Sequence, residues 1–353
     1  MCGCSLIHPP PPPLLSPPAN QKPPLYSSRK PIKRGFFMNI ESLLSKSTEK
    51  GLGSFKVRLG SSSFRLGLGS FKVRFRLRYP SQSSCGVCAR AVSNKSYASC
   101  IPFNSLDSRQ PFNISIASNC LLLVDFHCHL TKNEVVGYLG GTWDPATCNL
   151  AILQAFPCRT KLGDNDNAQV VEEEIRRAME QRHLAPVGWY HSHPYCPARP
   201  TVQDTKLQQG YQAALRGPSD SPGLPCIGLI CAPYTDKNHF EAEYLCYWVL
   251  SEGETKLEVV GQPMQMMYNM SHDSFLTQDL LTEMRLLSDY YRGATDAIHF
   301  TVPFQQGLSH WEKLKCSLRS KLPRDLQPLG SPSSAQAQAV THFWDFLKGL
   351  ILT

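Results

Sequence analysis

The sequence lacks any run of about 18 apolar residues, the length that a membrane-spanning helix needs. It also lacks an apolar segment followed by a small-residue cleavage site, which is the pattern of a secretory signal. Its 14 cysteines follow no repeating spacing, so they do not indicate a disulfide framework. These absences predict an intracellular protein, nuclear or cytoplasmic, with reduced thiols and no membrane partner.

Acidic residues are scarce in the first 110 positions, which hold 17 Lys and Arg but only 3 Asp and Glu. Residues 8–18 form a polyproline stretch, the octapeptide GLGSFKVR occurs at 51–58 and again at 67–74, and RKPIKR at 29–34 matches a short nuclear address. Proline-rich and low-complexity segments rarely build a packed core. We therefore expect residues 1–110 to be a basic, disordered leader. Its charge leaves nucleic-acid binding open as an alternative to a plain solvated segment.

Strand and helix patterns begin to alternate after residue 112. The predicted strands are 112–117, 133–143 with a Gly-Gly turn, 149–157, 185–193, 225–234 and 244–250, and the predicted helices are 118–130, 167–184, 201–216, 273–292, 309–322 and 335–351. This order predicts an α/β domain over 112–250 and a helical extension over 251–353. The last helix has an apolar stripe without a basic row, so we expect it to pack on the domain or on a partner subunit.

The segment GWYHSHPYCPARPTVQD at 188–204 contains two histidines separated by one residue and an aspartate eleven positions after the second. On a strand, residues i and i+2 point to the same face, so His191 and His193 can bind one ion together. Thr201 is a suitable N-cap for the next helix, which would place Asp204 in its first turn, facing the histidines. A tetrahedral Zn²⁺ with three such ligands keeps one position open for water, as catalytic zinc sites do.

Such a site also needs a base outside the metal shell to move the proton of the water molecule. Glu134 is the only acid in the apolar stretch 133–143 and is the candidate, although a lone glutamate on a strand is usually solvent-facing. A second His-x-His occurs at His127 and His129, but on a helix these side chains point about 200° apart and cannot share an ion. We expect those two histidines to be exposed or partly buried.

The full pattern is H-S-H-P, six residues, a hydroxyl residue, two residues and Asp, with a glutamate 57 positions before the first histidine. It resembles the motif of the JAMM-type (MPN+) metalloproteases, and the resemblance covers roughly residues 112–325. It implies a three-layer α/β/α, cytidine-deaminase-like fold and one catalytic Zn²⁺ held by His191, His193 and Asp204. It further implies hydrolysis of isopeptide bonds to ubiquitin or a ubiquitin-like modifier, with Glu134 as general acid and base.

Thr201 stands where that family carries a serine, whose hydroxyl serves as a donor to the oxyanion. Threonine keeps the hydroxyl but adds a methyl group and stiffens χ1, so we expect activity between reduced and normal. Thr201 can also be only a helix cap. Two alternatives to an active enzyme stay open: a catalytically weak or inactive MPN scaffold subunit, and a chromatin- or DNA-associated protein that carries an MPN domain.

Overall fold

The computed structural model describes residues 96–160, 165–216, 223–235, 240–250, 260–305, 307–327 and 334–352. Three segments singled out above lie outside the described residues: the polyproline stretch, the GLGSFKVR repeat and RKPIKR. The nucleic-acid binding and nuclear import predicted from these segments therefore stay predictions.

The described helices alternate with strands along the chain. The helices are α1 (Ser118–His129), α2 (Asn165–Gln181), α3 (Val202–Leu215), α4 (Gln278–Tyr291), α5 (His310–Arg319) and α6 (Ser334–Ile351). The strands are β1 (Ile101–Pro102), β2 (Asn113–Ala117), β3 (Val136–Asp144), β4 (Asn149–Pro157), β5 (Ala185–Ser192), β6 (Ile227–Ala232), β7 (Glu243–Leu250), β8 (Gln262–Gln265), β9 (Asn269–Ser271), β10 (Pro303–Gln305) and β11 (Leu308–Ser309). Every predicted helix is present, with its ends displaced by a few residues.

Nine strands form one mixed sheet in the order β1-β8-β7-β6-β5-β3-β4-β2-β9. Strand β5 lies inside this sheet, antiparallel to β3 on one side and parallel to β6 on the other. The sheet includes β1, which lies before residue 112, and β8 and β9, which lie after residue 250. The domain limits 112–250 and 251–353 stay a prediction.

Hydrophobic side chains cover both faces of the sheet, because successive residues of a strand point to opposite sides. On β6, Leu229 and Cys231 belong to one buried cluster and Ile230 belongs to the other. The first cluster also contains residues of α1, α4, α5 and α6, and the second contains residues of α2 and α3. Helices therefore pack on both faces, and the predicted α/β/α class is confirmed.

Helix α1 is buried along its whole length, because apolar side chains surround it on nearly every side. The expectation that His127 and His129 are exposed or partly buried is therefore wrong, since both are 0% exposed. His127 Nδ1 lies 2.9 Å from the Tyr190 hydroxyl, and its Nε2 lies 3.2 Å from the Tyr291 hydroxyl. His129 Nδ1 lies 2.9 Å from the Asp125 carboxylate. Both ring nitrogens of His127 and Nδ1 of His129 thus have polar partners, whereas His129 Nε2 has none among the described residues.

The predicted Gly-Gly turn is wrong, because Gly140 and Gly141 lie inside β3. The pairing of β3 with β4 shifts register between them, and a Cβ atom on Gly141 would lie 2.1 Å from the Ala151 carbonyl oxygen. Only glycine allows the two strands to approach this closely. The chain instead reverses after Asp144, whose carboxylate accepts a hydrogen bond from the Ala146 N–H at 3.0 Å.

Residues 96–110 also differ from the prediction of a disordered leader. Strand β1 pairs with β8 in parallel, and Phe103–Leu106 forms a short 3-10 helix. Phe103 is buried and stacks on Trp248, with ring centroids 6.5 Å apart. The prediction of disorder is wrong over this segment, because an aromatic anchor fixes it to the sheet.

The last helix packs on the core, as predicted. Phe343 and Leu347 of α6 are buried, and Trp344 meets Trp311 of α5 edge to face at 6.3 Å. Among the described residues, no helix combines the length and apolarity that a bilayer crossing needs.

Candidate metal centre

The two histidines of the H-S-H segment lie at the carboxyl end of β5. His191 pairs with Val136 of β3 and with Ile230 of β6, so the strand is held from both sides. His193 follows directly after the strand, and the centroids of the two imidazole rings are 4.9 Å apart. Both side chains are almost fully buried. The alternation of β5 thus brings both rings to one place, as the sequence predicts.

The aspartate comes from the first turn of α3. Thr201 is the N-cap residue of this helix, and its Oγ1 accepts a hydrogen bond from the Asp204 N–H at 3.1 Å. The Asp204 carboxylate Oδ2 accepts in return from the Thr201 backbone N–H at 2.7 Å and from the Thr201 hydroxyl at 2.8 Å. This reciprocal arrangement is a capping box, and the predicted cap at Thr201 is confirmed.

Three ligand-type atoms converge at this point. The Nε2 atoms of His191 and His193 each lie 3.6 Å from Asp204 Oδ2. All three donor atoms lie within 4.8 Å of one another. Bonds of about 2.0–2.2 Å to a tetrahedral Zn²⁺ place ligand atoms about 3.3–3.6 Å apart. The two histidine–aspartate distances therefore suit a small tetrahedral cation.

Neither imidazole uses its Nε2 atom in a described hydrogen bond. His193 Nδ1 lies 3.0 Å from the Pro197 carbonyl oxygen, which can only accept, so the neutral tautomer that makes this hydrogen bond has its lone pair on Nε2. Neither ring nitrogen of His191 has a hydrogen-bond partner among the described residues. Buried polar atoms normally have a hydrogen-bond partner or a metal ion beside them. A cation bound at His191 Nε2 would supply the partner that this buried nitrogen lacks.

The charge of Asp204 also suits a cation. Burial alone would raise the pKa of Asp204, but His191 and His193 outweigh burial and hold this pKa well below its usual range. Asp204 is therefore a carboxylate at neutral pH. Two imidazoles and one carboxylate, shielded from solvent, form a donor set that fits Zn²⁺.

Glu134 lies two residues before β3 begins, in the loop that leads into the strand, and its side chain is half-buried. The neighbouring Val135 N–H donates to Ser192 Oγ at 2.9 Å, and the Ser192 N–H donates to the Val135 carbonyl oxygen at 3.0 Å. Ser192 therefore fixes the loop of Glu134 to the backbone between the two histidines. Sequence reasoning missed this role of Ser192, although a small hydroxyl residue between two same-facing histidines must point to the opposite side.

Packing orients His191. The indole of Trp189 stacks on its imidazole at 4.6 Å with an interplanar angle of 13°. Trp189 Nε1 donates to Gln208 Oε1 of α3 at 2.7 Å, and Gln208 Nε2 donates to the Cys226 carbonyl oxygen at 2.7 Å. The chain of contacts joins β5, α3 and the start of β6. It limits the rotation of His191 and supports Trp189 as a packing residue rather than a substrate contact.

Residues 111–217 match the family model described as JAB1/Mov34/MPN/PAD-1 ubiquitin protease. The chain contains an MPN domain. The five candidate residues of the site all lie inside the matched segment: Glu134, His191, His193, Thr201 and Asp204.

Curated relatives agree with this MPN domain. The chain is 45% identical over 224 residues to the mouse (Mus musculus) "MPN domain-containing protein", covering 63% of this chain and 46% of the relative. It is 43% identical over 247 residues to the zebrafish (Danio rerio) protein of the same name, covering 70% of this chain and 52% of the relative. It is 30% identical over 154 residues to human (Homo sapiens) "Deubiquitinase MYSM1", covering 42% of this chain and 18% of the relative. The chain thus spans about half the length of these relatives, or less.

Proposed function

We propose that this protein is a zinc-dependent isopeptidase of the JAMM type, a deubiquitinase that cleaves ubiquitin or a ubiquitin-like modifier from its conjugates. The observation that carries the proposal is the convergence of His191, His193 and Asp204, with 3.6 Å from each Nε2 atom to Asp204 Oδ2. The similarity to human "Deubiquitinase MYSM1" supports the choice of ubiquitin as modifier. We place the protein inside the cell, in the nucleus or the cytoplasm.

The proposal gives each residue of the site a task. His191, His193 and Asp204 would hold one Zn²⁺. When bound, the ion polarises a substrate carbonyl and lowers the pKa of a coordinated water molecule toward neutrality. Glu134 would accept the proton of that water and deliver it to the leaving lysine amine, which is the work of a general acid and base. The half-buried position of Glu134 beside the histidine backbone supports this role.

Thr201 has a task in holding the ligand set. Its hydroxyl carries one hydrogen, and that hydrogen is donated to Asp204 Oδ2 at 2.8 Å. We propose that Thr201 positions the Asp204 carboxylate toward the histidines. A second role as donor to the substrate oxyanion stays a prediction, because it requires the hydroxyl to turn away from Asp204.

The scaffold alternative has one observation in its favour, which is this engagement of the Thr201 hydroxyl with the helix cap. A complete set of three ligands, together with an adjacent glutamate, favours the enzyme. An association with chromatin or DNA would depend on the basic residues before position 96.

The test is cleavage by the purified full chain, loaded with zinc, against a panel of di-ubiquitins of every linkage and conjugates of ubiquitin-like modifiers. We expect one or more conjugates to be cut, and cutting to stop with a chelator and return with added zinc. A folded, zinc-loaded chain that cuts no member of the panel, even when partner proteins from a cell extract are added, contradicts the isopeptidase and supports the scaffold.

A further inference from the structure

A segment before the matched MPN region lies directly against the candidate metal centre. The Ala98 N–H donates to the Pro200 carbonyl oxygen at 2.9 Å, and the Val202 N–H donates to the Ser96 carbonyl oxygen at 3.0 Å. Tyr97 and Thr201 form an antiparallel bridge between these two bonds. The backbone of Tyr97 is thus fixed opposite the residue that caps α3 and holds Asp204.

The Tyr97 hydroxyl is unusual among the polar groups of the site. Its ring is half-buried, while its hydroxyl oxygen is shielded from solvent and makes no hydrogen bond of good geometry among the described residues. The one described side chain placed to accept from it is the Cys196 thiol, and a thiol is a weak acceptor. Burial, followed by the interaction of the hydroxyl with the Cys196 thiol and the proximity of Glu134 and Asp204, raises the pKa of Tyr97 well above its usual range. The phenol is therefore a neutral donor at physiological pH, and its neighbours include the proposed base and one proposed ligand.

The two hydroxyl groups beside the site, those of Thr201 and Tyr97, differ in whether their hydrogen already has a strong acceptor. Thr201 donates its only hydroxyl hydrogen to Asp204, whereas the Tyr97 hydroxyl has no acceptor among the described residues stronger than the Cys196 thiol. A buried donor normally has a partner, and a bound ligand can supply it. We infer that the Tyr97 hydroxyl donates a hydrogen bond to an oxygen atom of the substrate held at the metal centre, which makes Tyr97 a further catalytic residue. This inference rests on the proposed function.

The first test compares Tyr97→Phe with Tyr244→Phe in the zinc-loaded full chain. Tyr244 is a matched control, because its hydroxyl is also buried without a hydrogen bond of good geometry and also lies beside a thiol, that of Cys231, but its charged neighbours are Lys321 and Asp125. For Tyr97→Phe we expect kcat to fall about 100-fold, as for the loss of one oxyanion donor, with zinc content and KM little changed. Tyr244→Phe should leave kcat unchanged.

Three results of this first test overturn the inference. An unchanged kcat in Tyr97→Phe means that the phenol contacts nothing that reacts. An increased kcat means that Tyr97 obstructs the site instead of assisting it. A loss of zinc or of thermal stability that is equal in both tyrosine variants is a structural effect, and it also contradicts a specific role for Tyr97.

A second readout separates this inference from the proposed function. Acetohydroxamate binds catalytic zinc through its oxygen atoms, and its affinity for the zinc-loaded wild type and Tyr97→Phe can be measured by calorimetry. We expect Tyr97→Phe to bind it about 10-fold more weakly or worse, since a hydrogen bond to a charged ligand is lost. If wild type cuts no conjugate but Tyr97→Phe still weakens acetohydroxamate binding, the isopeptidase fails and the inference on Tyr97 holds. Equal affinities overturn the inference whatever the activity.

Discussion

Thr201 and Asp204 hold each other in place. The Thr201 hydroxyl donates to Asp204 Oδ2 at 2.8 Å, and the Asp204 N–H donates to Thr201 Oγ1 at 3.1 Å. The same Oδ2 atom lies 3.6 Å from the Nε2 atoms of His191 and His193. The Asp204 carboxylate therefore takes part in the capping box of α3 and also in the candidate metal centre. The stability of the helix and the affinity for metal are coupled through this one side chain.

Removing the Thr201 hydroxyl should affect both properties. We expect Thr201→Ala to lower the free energy of unfolding by about 1 kcal/mol, the usual value of an N-cap. We also expect it to weaken zinc binding about 10- to 100-fold, because the carboxylate ligand loses its supporting hydrogen bond. Urea unfolding and a zinc-competition titration measure the two effects, and Thr201→Ser should retain both properties.

The N-cap of α4 is the matched control. Thr277 Oγ1 accepts a hydrogen bond from the Leu280 N–H at 3.2 Å and contacts no residue of the site. Thr277→Ala should lower stability by about the same amount and leave zinc affinity unchanged. If Thr277→Ala weakens zinc binding as much as Thr201→Ala does, the coupling through Asp204 is contradicted.

Glu134→Gln should separate proton transfer from metal binding. Glutamine keeps the size of the side chain but cannot accept a proton, so we expect kcat to fall by about 10²- to 10⁴-fold with zinc content unchanged. Glu180→Gln, on the exposed surface of α2, is the control and should retain full activity. Loss of zinc in Glu134→Gln would instead make Glu134 a ligand and remove the candidate base.

A buried ion pair joins α1 to the segment after α5. Lys321 Nζ lies 2.8 Å from Asp125 Oδ2, both side chains are almost fully buried, and the Ser317 hydroxyl donates to the same oxygen at 2.6 Å. Removing one partner leaves a buried charge without compensation, so Lys321→Met should destabilise the fold by about 3–5 kcal/mol. The exposed pair Arg292–Asp289 provides the control, and Arg292→Met should cost about 0.5 kcal/mol or less. Equal losses in urea unfolding would show that the Asp125 pair contributes no more than a surface contact.

His127 should make stability depend on pH. Burial, with a smaller effect of Arg159, lowers the pKa of His127 to about 3. Its folded pKa is depressed, so the stability it contributes is present above the unfolded value of about 6.5 and is lost as pH falls below it. Between pH 7 and pH 5, this one group should account for a loss of about 2 kcal/mol.

The variant His127→Gln isolates that contribution. Measured by urea unfolding in the presence of a chelator, the variant should lose about 2 kcal/mol less than wild type between the two pH values. Other titrating groups act equally in both proteins. Identical losses would mean that His127 accepts a proton in the folded state as easily as in the unfolded chain.

The local parts of the site could be predicted from the sequence. His191 and His193 share a face because a strand has a period of two residues, and Thr201 caps α3 because a hydroxyl residue precedes a helical pattern. Burial of His127 and His129 could also have been predicted, since the LLLVDF segment before them is apolar apart from Asp125, which pairs with His129.

The remaining parts depend on contacts between residues far apart in the sequence. The bulge at Gly140–Gly141 exists because β3 must approach the Ala151 backbone, and no pattern within β3 shows that. Tyr97 reaches the site only through pairing with Thr201, more than a hundred positions away, and it lies in a segment whose composition predicts disorder.

The most direct test of the metal centre is the zinc content of the purified full chain. Wild type is compared with the double variant His191→Ala/His193→Ala and with His342→Ala, which removes an exposed histidine from α6. After dialysis against zinc and then buffer, we predict about one zinc ion per chain in wild type and His342→Ala, and none in the double variant. A folded wild type without zinc, or a double variant that keeps it, would contradict the account.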